Sequence, residues 1–260
     1  MVKVANLHAK VRPPRVALAD GTYDAIKTMI LDHEISPGDR VGIDQLAREL
    51  SVSQTPVREA LARLEADGLL TKTPLRGYKT TELLSIQQFD ELFQYRALVE
   101  PWLASQASRR GTRVEIEGMN AELERAENIR SAETTGSMYR EFVEHDARLH
   151  ALIAQAAGNS FIEQAFTQMH CHLHLFRVYK ATHRNEQVQR SRGAEVGFVH
   201  DMFDEYYRGG ERPLALTEHR EIVNAIASGD GNSARELMLN HIESSRRRFI
   251  PSVAALEATS

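Results

Sequence analysis

The chain has 260 residues, of which 42% are hydrophobic and 26% are charged, and its formal net charge is −4. This length allows two domains with a core each, and the composition is typical of a globular protein rather than a disordered or fibrous one. No apolar stretch approaches the roughly 20 residues that a membrane-spanning helix needs, so we expect no membrane partner.

The N-terminus and the cysteine content indicate the compartment. Charges and prolines, among them Pro13 and Pro14, stand where a signal peptide would have an apolar segment. The single cysteine, Cys171, cannot form a disulfide within the chain. Both features are typical of a protein of the reducing cytosol, and we expect a cytoplasmic protein.

Charge is unevenly distributed along the chain. Residues 1–82 contain 12 Lys and Arg against 11 Asp and Glu, whereas the remaining residues contain 20 against 25. The N-terminal part is therefore only marginally basic, and a polyanion would have to bind a local basic patch. Charge permits nucleic-acid binding here without indicating it.

The N-terminal part is predicted to hold a flexible arm, residues 1–16, and a first domain, residues 17–82. Apolar residues at helical spacing predict one long and two short helices, over residues 16–33, 43–50 and 54–67. Two β-prone runs on either side of a Pro-Leu-Arg-Gly turn then predict a hairpin, over residues 69–73 and 78–82. This order of elements is that of a winged helix-turn-helix.

The pattern beyond residue 84 is helical throughout, and it predicts an all-helical bundle over residues 85–250, followed by a tail, 251–260. Helices are predicted over residues 86–110, 113–129, 135–157, 160–180, 194–207, 214–228 and 231–248. The predicted fold is therefore mostly α, with an N-terminal winged helix-turn-helix and a C-terminal helical bundle.

The second short helix begins with side chains that suit the reading of DNA bases. In a winged helix-turn-helix this helix enters the major groove, where Gln can pair with adenine and Arg with guanine through two hydrogen bonds each. The hairpin tip is small and cationic, which suits contact with the backbone or the minor groove. The candidate DNA-binding residues are Ser53, Gln54, Thr55, Arg58, Arg76 and Gly77. The alternative is that Arg58 and Arg63 pair with acidic neighbours on a solvated helix.

Residues 52–69, VSQTPVREALARLEADGL, resemble the signature V-S-R-T-P-V-R-E-A-L-x-R-L-x-x-x-G-L of the GntR family of bacterial repressors. Gln54 stands where the family usually has Arg, and Asp44 stands where one member has a DNA-contacting Arg. The resemblance implies a DNA-binding regulator. We expect a homodimer that binds a near-palindromic operator in double-stranded DNA.

Four side chains in the helical half have spacings that suggest a metal site. Asp146 and His150 are one helical turn apart on one face. His219 and His241 lie on two helices joined by a short glycine-containing turn, which can bring both imidazoles level with one another. One carboxylate and three imidazoles suit a divalent ion such as Zn, Ni or Mn and leave a position for a further ligand. The alternative is that these are ordinary surface or core residues.

Several segments of this half are similar to the FCD domain, the C-terminal half of many GntR proteins. They are DARLH at 146–150, EHREI at 218–222, HI at 241–242 and FQYRALVE at 93–100, in which Gln94 replaces the usual Glu. This resemblance implies an all-helical domain that binds a metal through an Asp and three His, here Asp146, His150, His219 and His241.

Three further residues are candidates for binding a small carboxylate effector. His170, His174 and Arg177 share one face of the predicted helix 160–180, and Arg177 could hold a carboxylate as a fork; an outward polar stripe is the alternative. Arg96 is either an effector ligand or the partner of Glu100 in an intrahelical ion pair. The candidate effector-binding residues are Arg96, His174 and Arg177. Cys171 and His172 face away from them, and we assign them no chemical role.

The sequence therefore predicts a ligand-responsive transcription regulator, with a repressor favoured, that senses a small organic acid through a metal-containing pocket and is not an enzyme. Two alternatives remain open. One is a metal-dependent hydrolase or lyase fused to a DNA-binding domain, because a metal with open positions can activate water. The other is a constitutive architectural DNA-binding protein with a structural metal. An apolar helical face, Phe198, Met202, Phe203 and Tyr206, is predicted to form core or dimer contacts.

Overall fold

The secondary structure is mainly helical, which confirms the predicted fold class. The structure, a computed structural model, describes residues 15–129, 135–184 and 214–258. The chain divides into two compact units, Met1–Glu82 and Leu83–Ser260. The predicted helix 194–207, with its apolar face, lies outside the described residues, as does nearly all of the predicted arm.

The first unit is a winged helix-turn-helix. Its elements are α1 (Arg15–Leu31), β1 (Arg40–Val41), α2 (Ile43–Glu49), α3 (Gln54–Ala66), β2 (Leu70–Thr73) and β3 (Gly77–Thr80). α1 packs on α3, and Ile26, Val57 and Leu61 are fully buried. The strands form an antiparallel sheet in the order β1-β3-β2, in which Tyr78 pairs with Val41 and with Lys72. The sequence does not predict β1, since a strand of two residues shows no alternation.

The second unit is helical in all its described elements. They are α4 (Ile86–Arg110), α5 (Arg113–Asn128), α6 (Thr135–Ala156), α7 (Ser160–Gln168), α8 (Cys171–Arg184), α9 (Leu214–Ala227) and α10 (Gly231–Glu257). The starts of α4 and α5 are fixed by capping boxes, in which Ser85 pairs with Gln88 and Thr112 with Glu115. None of the described helices is both long enough and apolar enough to cross a membrane.

The turn between α9 and α10 lies against α4. A Cβ atom on Gly231 would sit 2.9 Å from Ser108 Oγ and 3.2 Å from the carbonyl oxygen of Ser105. Only glycine allows so close an approach, and Asp230 caps α10 by accepting a hydrogen bond from the backbone N–H of Ser233 at 3.0 Å. This approach fixes α9 and α10 beside α4, which in turn packs on α6.

Two sequence predictions in this unit are wrong. The single helix over 160–180 is two helices, because His170 takes a left-handed conformation with φ of 45° between α7 and α8. The tail predicted from residue 251 is instead the last part of α10. It stays helical through Pro251 because Val253 and Leu256 are buried in the bundle.

Candidate metal centre and nucleic-acid interface

Three helices of the second unit bring together the four residues that the sequence analysis proposed as metal ligands. Asp146 and His150 lie on α6, His219 on α9 and His241 on α10, and one ligand atom of each lies within 4.8 Å of those of the others. The Nε2 atoms of His219, His150 and His241 lie 3.0, 3.5 and 3.9 Å from the Oδ1 atom of Asp146. Three imidazole nitrogens thus converge on a single carboxylate oxygen.

The hydrogen bonding of this cluster fits a shared cation. The side chains of His150 and His219 are buried, and their Nε2 atoms make no well-directed hydrogen bond among the described residues, although that of His219 lies 3.0 Å from Asp146 Oδ1. A buried polar atom without a partner costs free energy, about 1–3 kcal/mol in mutational studies. A metal ion between these nitrogens and Asp146 would satisfy both, and nitrogen with carboxylate oxygen is a donor set that first-row divalent ions accept.

Each of the three imidazoles also has a polar partner at its Nδ1 atom, on the side of the ring away from Asp146. Nδ1 of His241 lies 2.8 Å from Glu218 Oε2, Nδ1 of His219 lies 3.1 Å from His145 Nε2, and Nδ1 of His150 contacts Glu100. His145 is itself held, with its Nδ1 atom 3.1 Å from Glu122 Oε1. A hydrogen bond at Nδ1 fixes the ring orientation and leaves Nε2 as the lone-pair nitrogen, which is the usual arrangement around metal-bound histidines.

His172 lies in the cluster, and the prediction that it faces away from the site is wrong. Its Nε2 atom lies 3.1 Å from Asp146 Oδ2 and 3.4 Å from Arg96 Nη2. The error follows from the missed break at His170, because α8 starts at Cys171 and a helix assumed to be continuous gives the wrong faces. Cys171 is buried as well, and burial raises the pKa of its thiol to about 12.

Burial dominates the electrostatics of the site. It lowers the pKa of His172 and His145 to about 3 and that of His241 to about 4. Burial alone would raise the pKa of Asp146, but His172 and His150 hold that pKa well below its usual range. Near pH 7 the imidazoles of His145, His172 and His241 are therefore neutral and the carboxylate of Asp146 is ionised, and these are the protonation states that metal binding requires.

Arg96, on α4, lies beside this cluster, where its Nη2 atom is 3.4 Å from His172 Nε2. It is fully buried and donates from Nε to Glu100 Oε1 at 2.5 Å, so the predicted intrahelical ion pair exists. The Glu100 carboxylate raises the pKa of Arg96 against the effect of burial. The Nη1 atom of Arg96 is buried and has no hydrogen-bond partner among the described residues, which leaves one edge of the guanidinium available to an acceptor.

The other two candidate effector residues lie on α8. Arg177 is buried, while His174 is half-buried. Burial and then the charge of Arg177 lower the pKa of His174 to about 4, so these two side chains lie near one another. His170 falls between helices and not on their face, which removes it from the predicted stripe.

The side chains predicted to touch DNA are exposed in the first unit. Ser53, Gln54, Thr55 and Arg58 lie at the N-terminal end of α3, and Arg76 and Gly77 lie at the tip of the β2–β3 hairpin. Arg63 lies on another face, where it forms an ion pair of 2.7 Å with Asp20 and stacks on the ring of Tyr23. Arg58 donates from Nη2 to Gln54 Oε1 at 3.2 Å.

Comparison with protein families gives two matches that together cover most of the chain. Residues 18–79 match the family described as bacterial regulatory proteins, gntR family, and residues 91–244 match the FCD domain. Each match falls within one of the two structural units.

Curated relatives of similar length are named as transcription regulators. The HTH-type regulator YdhC of Bacillus subtilis is 27% identical over 84% of this chain and 85% of its own length. The Uxu operon transcriptional regulator of Escherichia coli is 25% identical over 86% and 84%, and LutR of Bacillus subtilis is 25% identical over 82% and 93%.

Solved structures share the fold. McbR/YncC of Escherichia coli superposes with a TM-score of 0.61 at 16% identity, over 94% of this chain and 99% of that one. A GntR regulator from Rhodococcus sp. RHA1 superposes with a TM-score of 0.57 at 18% identity, over 90% and 97%.

Proposed function

Because the chain belongs to the GntR family of bacterial regulatory proteins and carries the FCD domain, we propose that it is a cytoplasmic, dimeric repressor whose second unit binds a divalent metal and a small carboxylate. That it is a DNA-binding, ligand-responsive transcription regulator, and not an enzyme, follows from the family and from its relatives. The hydrolase or lyase alternative is therefore not favoured.

Convergence of three buried Nε2 atoms on Asp146 carries the proposal for the second unit. Asp146, His150, His219 and His241 would hold the ion, and Glu100, His145 and Glu218 would orient the imidazoles. A bound divalent ion supplies a Lewis-acidic position that accepts a carboxylate oxygen. Zn, Ni and Mn all suit this donor set.

Arg96 supports the choice of a carboxylate as effector. Its Nη1 atom is a buried cationic donor that has no hydrogen-bond partner among the described residues. The side chain of His172 contacts both Arg96 and Asp146 and so links this guanidinium to the proposed metal ligands. A buried charged donor favours an anionic acceptor, and guanidinium matches carboxylate geometry. His174 and Arg177 are the remaining candidates for contact with the effector.

The first unit would dock α3 in the major groove, with Arg58 as the main reader of a guanine and the hairpin tip, Arg76 and Gly77, at the backbone or minor groove. Ser53, Gln54 and Thr55 complete the proposed interface. A twofold dimer would bind a near-palindrome. Arg58→Ala should lose a preference worth about 1–3 kcal/mol while the fold and the dimer persist.

Gel-shift titration tests the proposal as a whole. Operator fragments are first selected from genomic DNA with the full chain, and binding is then measured with metal-loaded and chelated protein, with and without acetate, lactate, malate or citrate. We expect one of these acids to change operator affinity only when metal is present. No response to any acid with metal-loaded protein, together with full operator binding, would leave the constitutive architectural protein as the better account.

A further inference from the structure

Three exposed side chains near the N-terminal end of α3, the end proposed to read DNA, are joined by two consecutive hydrogen bonds. Gln54 donates from Nε2 to Asp44 Oδ1 at 2.5 Å, and its Oε1 accepts from Arg58 Nη2 at 3.2 Å. Asp44 lies in the first turn of α2, so these hydrogen bonds link the two helices of the helix-turn-helix. Gln54 is the neutral centre of the three, with a carboxylate at one end and a guanidinium at the other.

This arrangement uses one N–H and one oxygen lone pair of the Gln54 amide and fixes the direction of both ends. To read adenine, the amide must present its oxygen to N6–H and its N–H to N7 of the same base. In the structure the oxygen and the nitrogen of the amide point to two different protein groups. Arg58 has five N–H donors, and its bond to Gln54 uses one of them, so the two donors needed for guanine remain.

The charges of Asp44 and Arg58 favour retention of the two hydrogen bonds to Gln54 at a DNA surface. The carboxylate of Asp44 is repelled by phosphates, but it accepts a hydrogen bond from the Gln54 N–H and lies at the favourable N-terminal end of a helix, and both interactions offset part of that cost. An amide between an anion and a cation is polarised by both, which strengthens each bond. Both bonds hold the Gln54 amide in the orientation seen in the structure.

We propose that Asp44 and Gln54 are positioning residues that set the specificity of Arg58, and that Gln54 itself reads no base. Asp44 anchors the Gln54 amide, and the amide fixes the rotation of the guanidinium so that its free donors face one guanine. The inference rests on the proposed role of α3 in the major groove. It assigns a function to the acidic residue in an interface where an acid alone would weaken binding.

Selection of duplexes from a random DNA library tests this inference. The full-length variants Asp44→Ala, Asp44→Asn, Gln54→Ala and Arg58→Ala are compared with the wild type in the selection and in gel shifts against point-mutated sites. Gln45→Ala is the matched control, because Gln45 forms the same kind of exposed pair with Glu49, at 2.9 Å, away from Arg58.

We expect Arg58→Ala to remove the preference for one guanine. Asp44→Ala and Gln54→Ala should weaken that same preference about two- to tenfold, the range that one net hydrogen bond confers. Asp44→Ala and Asp44→Asn should both raise affinity for non-specific DNA, since each removes a negative charge. Asparagine can still accept from Gln54, so Asp44→Asn should keep the guanine preference, which separates positioning from charge.

Two outcomes overturn the inference. One is loss, in Gln54→Ala, of an adenine preference at a position that Arg58→Ala leaves intact, because Gln54 would then read a base. The other is an unchanged guanine preference in Asp44→Ala. A wild-type chain that enriches no sequence contradicts the proposed function itself, and the inference with it.

Discussion

At the scale of single residues, the three imidazoles that face Asp146 are not held in the same way. The Nδ1 atoms of His150 and His241 form hydrogen bonds with the carboxylates of Glu100 and Glu218, respectively. The Nδ1 atom of His219 instead forms a hydrogen bond with another imidazole, that of His145. His145 in turn forms a hydrogen bond with Glu122, whose Oε1 atom also accepts a hydrogen bond from Arg148 Nε at 3.0 Å. The orientation of His219 therefore depends on a buried chain that reaches α5.

Loss of His145 should weaken metal binding through His219. His145→Ala removes the acceptor for His219 Nδ1, so the ring can rotate or change tautomer, and metal affinity should fall about 10- to 100-fold. Glutamine can both accept from His219 and donate to Glu122, so His145→Gln should restore most of it. The measurement is metal affinity by chelator competition. Equal losses in both variants would show that His145 matters only for packing.

At the scale of elements, the sequence predicts a helix boundary where residues close in sequence determine it, and misses a boundary that tertiary packing determines. The sequence predicts helices from residues 86 and 113, and α4 and α5 begin there in the structure, where Ser85 and Thr112 form capping boxes. The break at His170 carries no glycine or proline, so it arises from packing and not from a local signal. The extension of α10 past Pro251 is likewise decided by burial of Val253 and Leu256.

The same distinction explains which parts of the metal cluster could be predicted. Asp146 and His150 share a helical face, and the turn after α9 pairs His219 with His241, so spacing together with the resemblance to the FCD domain suggests the four. The outer partners Glu100, Glu122, His145 and His172 come from α4, α5, α6 and α8. No spacing rule connects those helices, because their relative placement depends on tertiary packing.

The turn between α9 and α10 gives a prediction at this scale. Gly231→Ala places a Cβ atom against Ser105 and Ser108 of α4, which should cost about 1–3 kcal/mol in the free energy of unfolding. Gly118→Ala is the control, since the nearest atom to its Cβ, on Leu152, is 4.0 Å away and alanine favours the interior of α5 by about 0.5–1 kcal/mol. Urea unfolding measures both. Stabilisation by Gly231→Ala would contradict the close approach.

At the scale of the whole molecule, buried histidines make stability depend on pH. The pKa values of His172 and His145 in the folded protein are about 3, and that of His241 is about 4, below the usual value near 6.5. The unfolded chain therefore binds more protons than the folded chain between these values, so stability rises with pH. The carboxylate of Asp146, whose pKa is lowered, acts in the same direction at still lower pH.

We therefore expect the metal-free protein to lose stability as pH falls from about 6.5 towards 4, by up to about 1.4 kcal/mol per pH unit for each such histidine. Urea unfolding between pH 4 and 7.5, in the presence of chelator, measures the slope. A free energy of unfolding that stays constant or rises as pH falls would mean that these imidazoles are not buried in the neutral form.

The central claim is a metal ion shared by α6, α9 and α10. An ion that binds only the folded chain at a hundredfold excess over its Kd contributes about 2.7 kcal/mol, which raises the melting temperature of a protein of this size by about 5–10 °C. The test compares metal content and the metal-dependent rise in melting temperature for the wild type, His219→Ala and His241→Ala. His170→Asn is the control, because His170 lies in the α7–α8 break and asparagine tolerates its left-handed backbone.

We predict that the wild type and His170→Asn bind about one metal ion per chain, with the full rise in melting temperature. His219→Ala and His241→Ala should lose both the metal and the rise. If both variants keep the metal content and the metal-dependent rise of the wild type, the four residues do not form a metal centre, and the account of the second unit is contradicted.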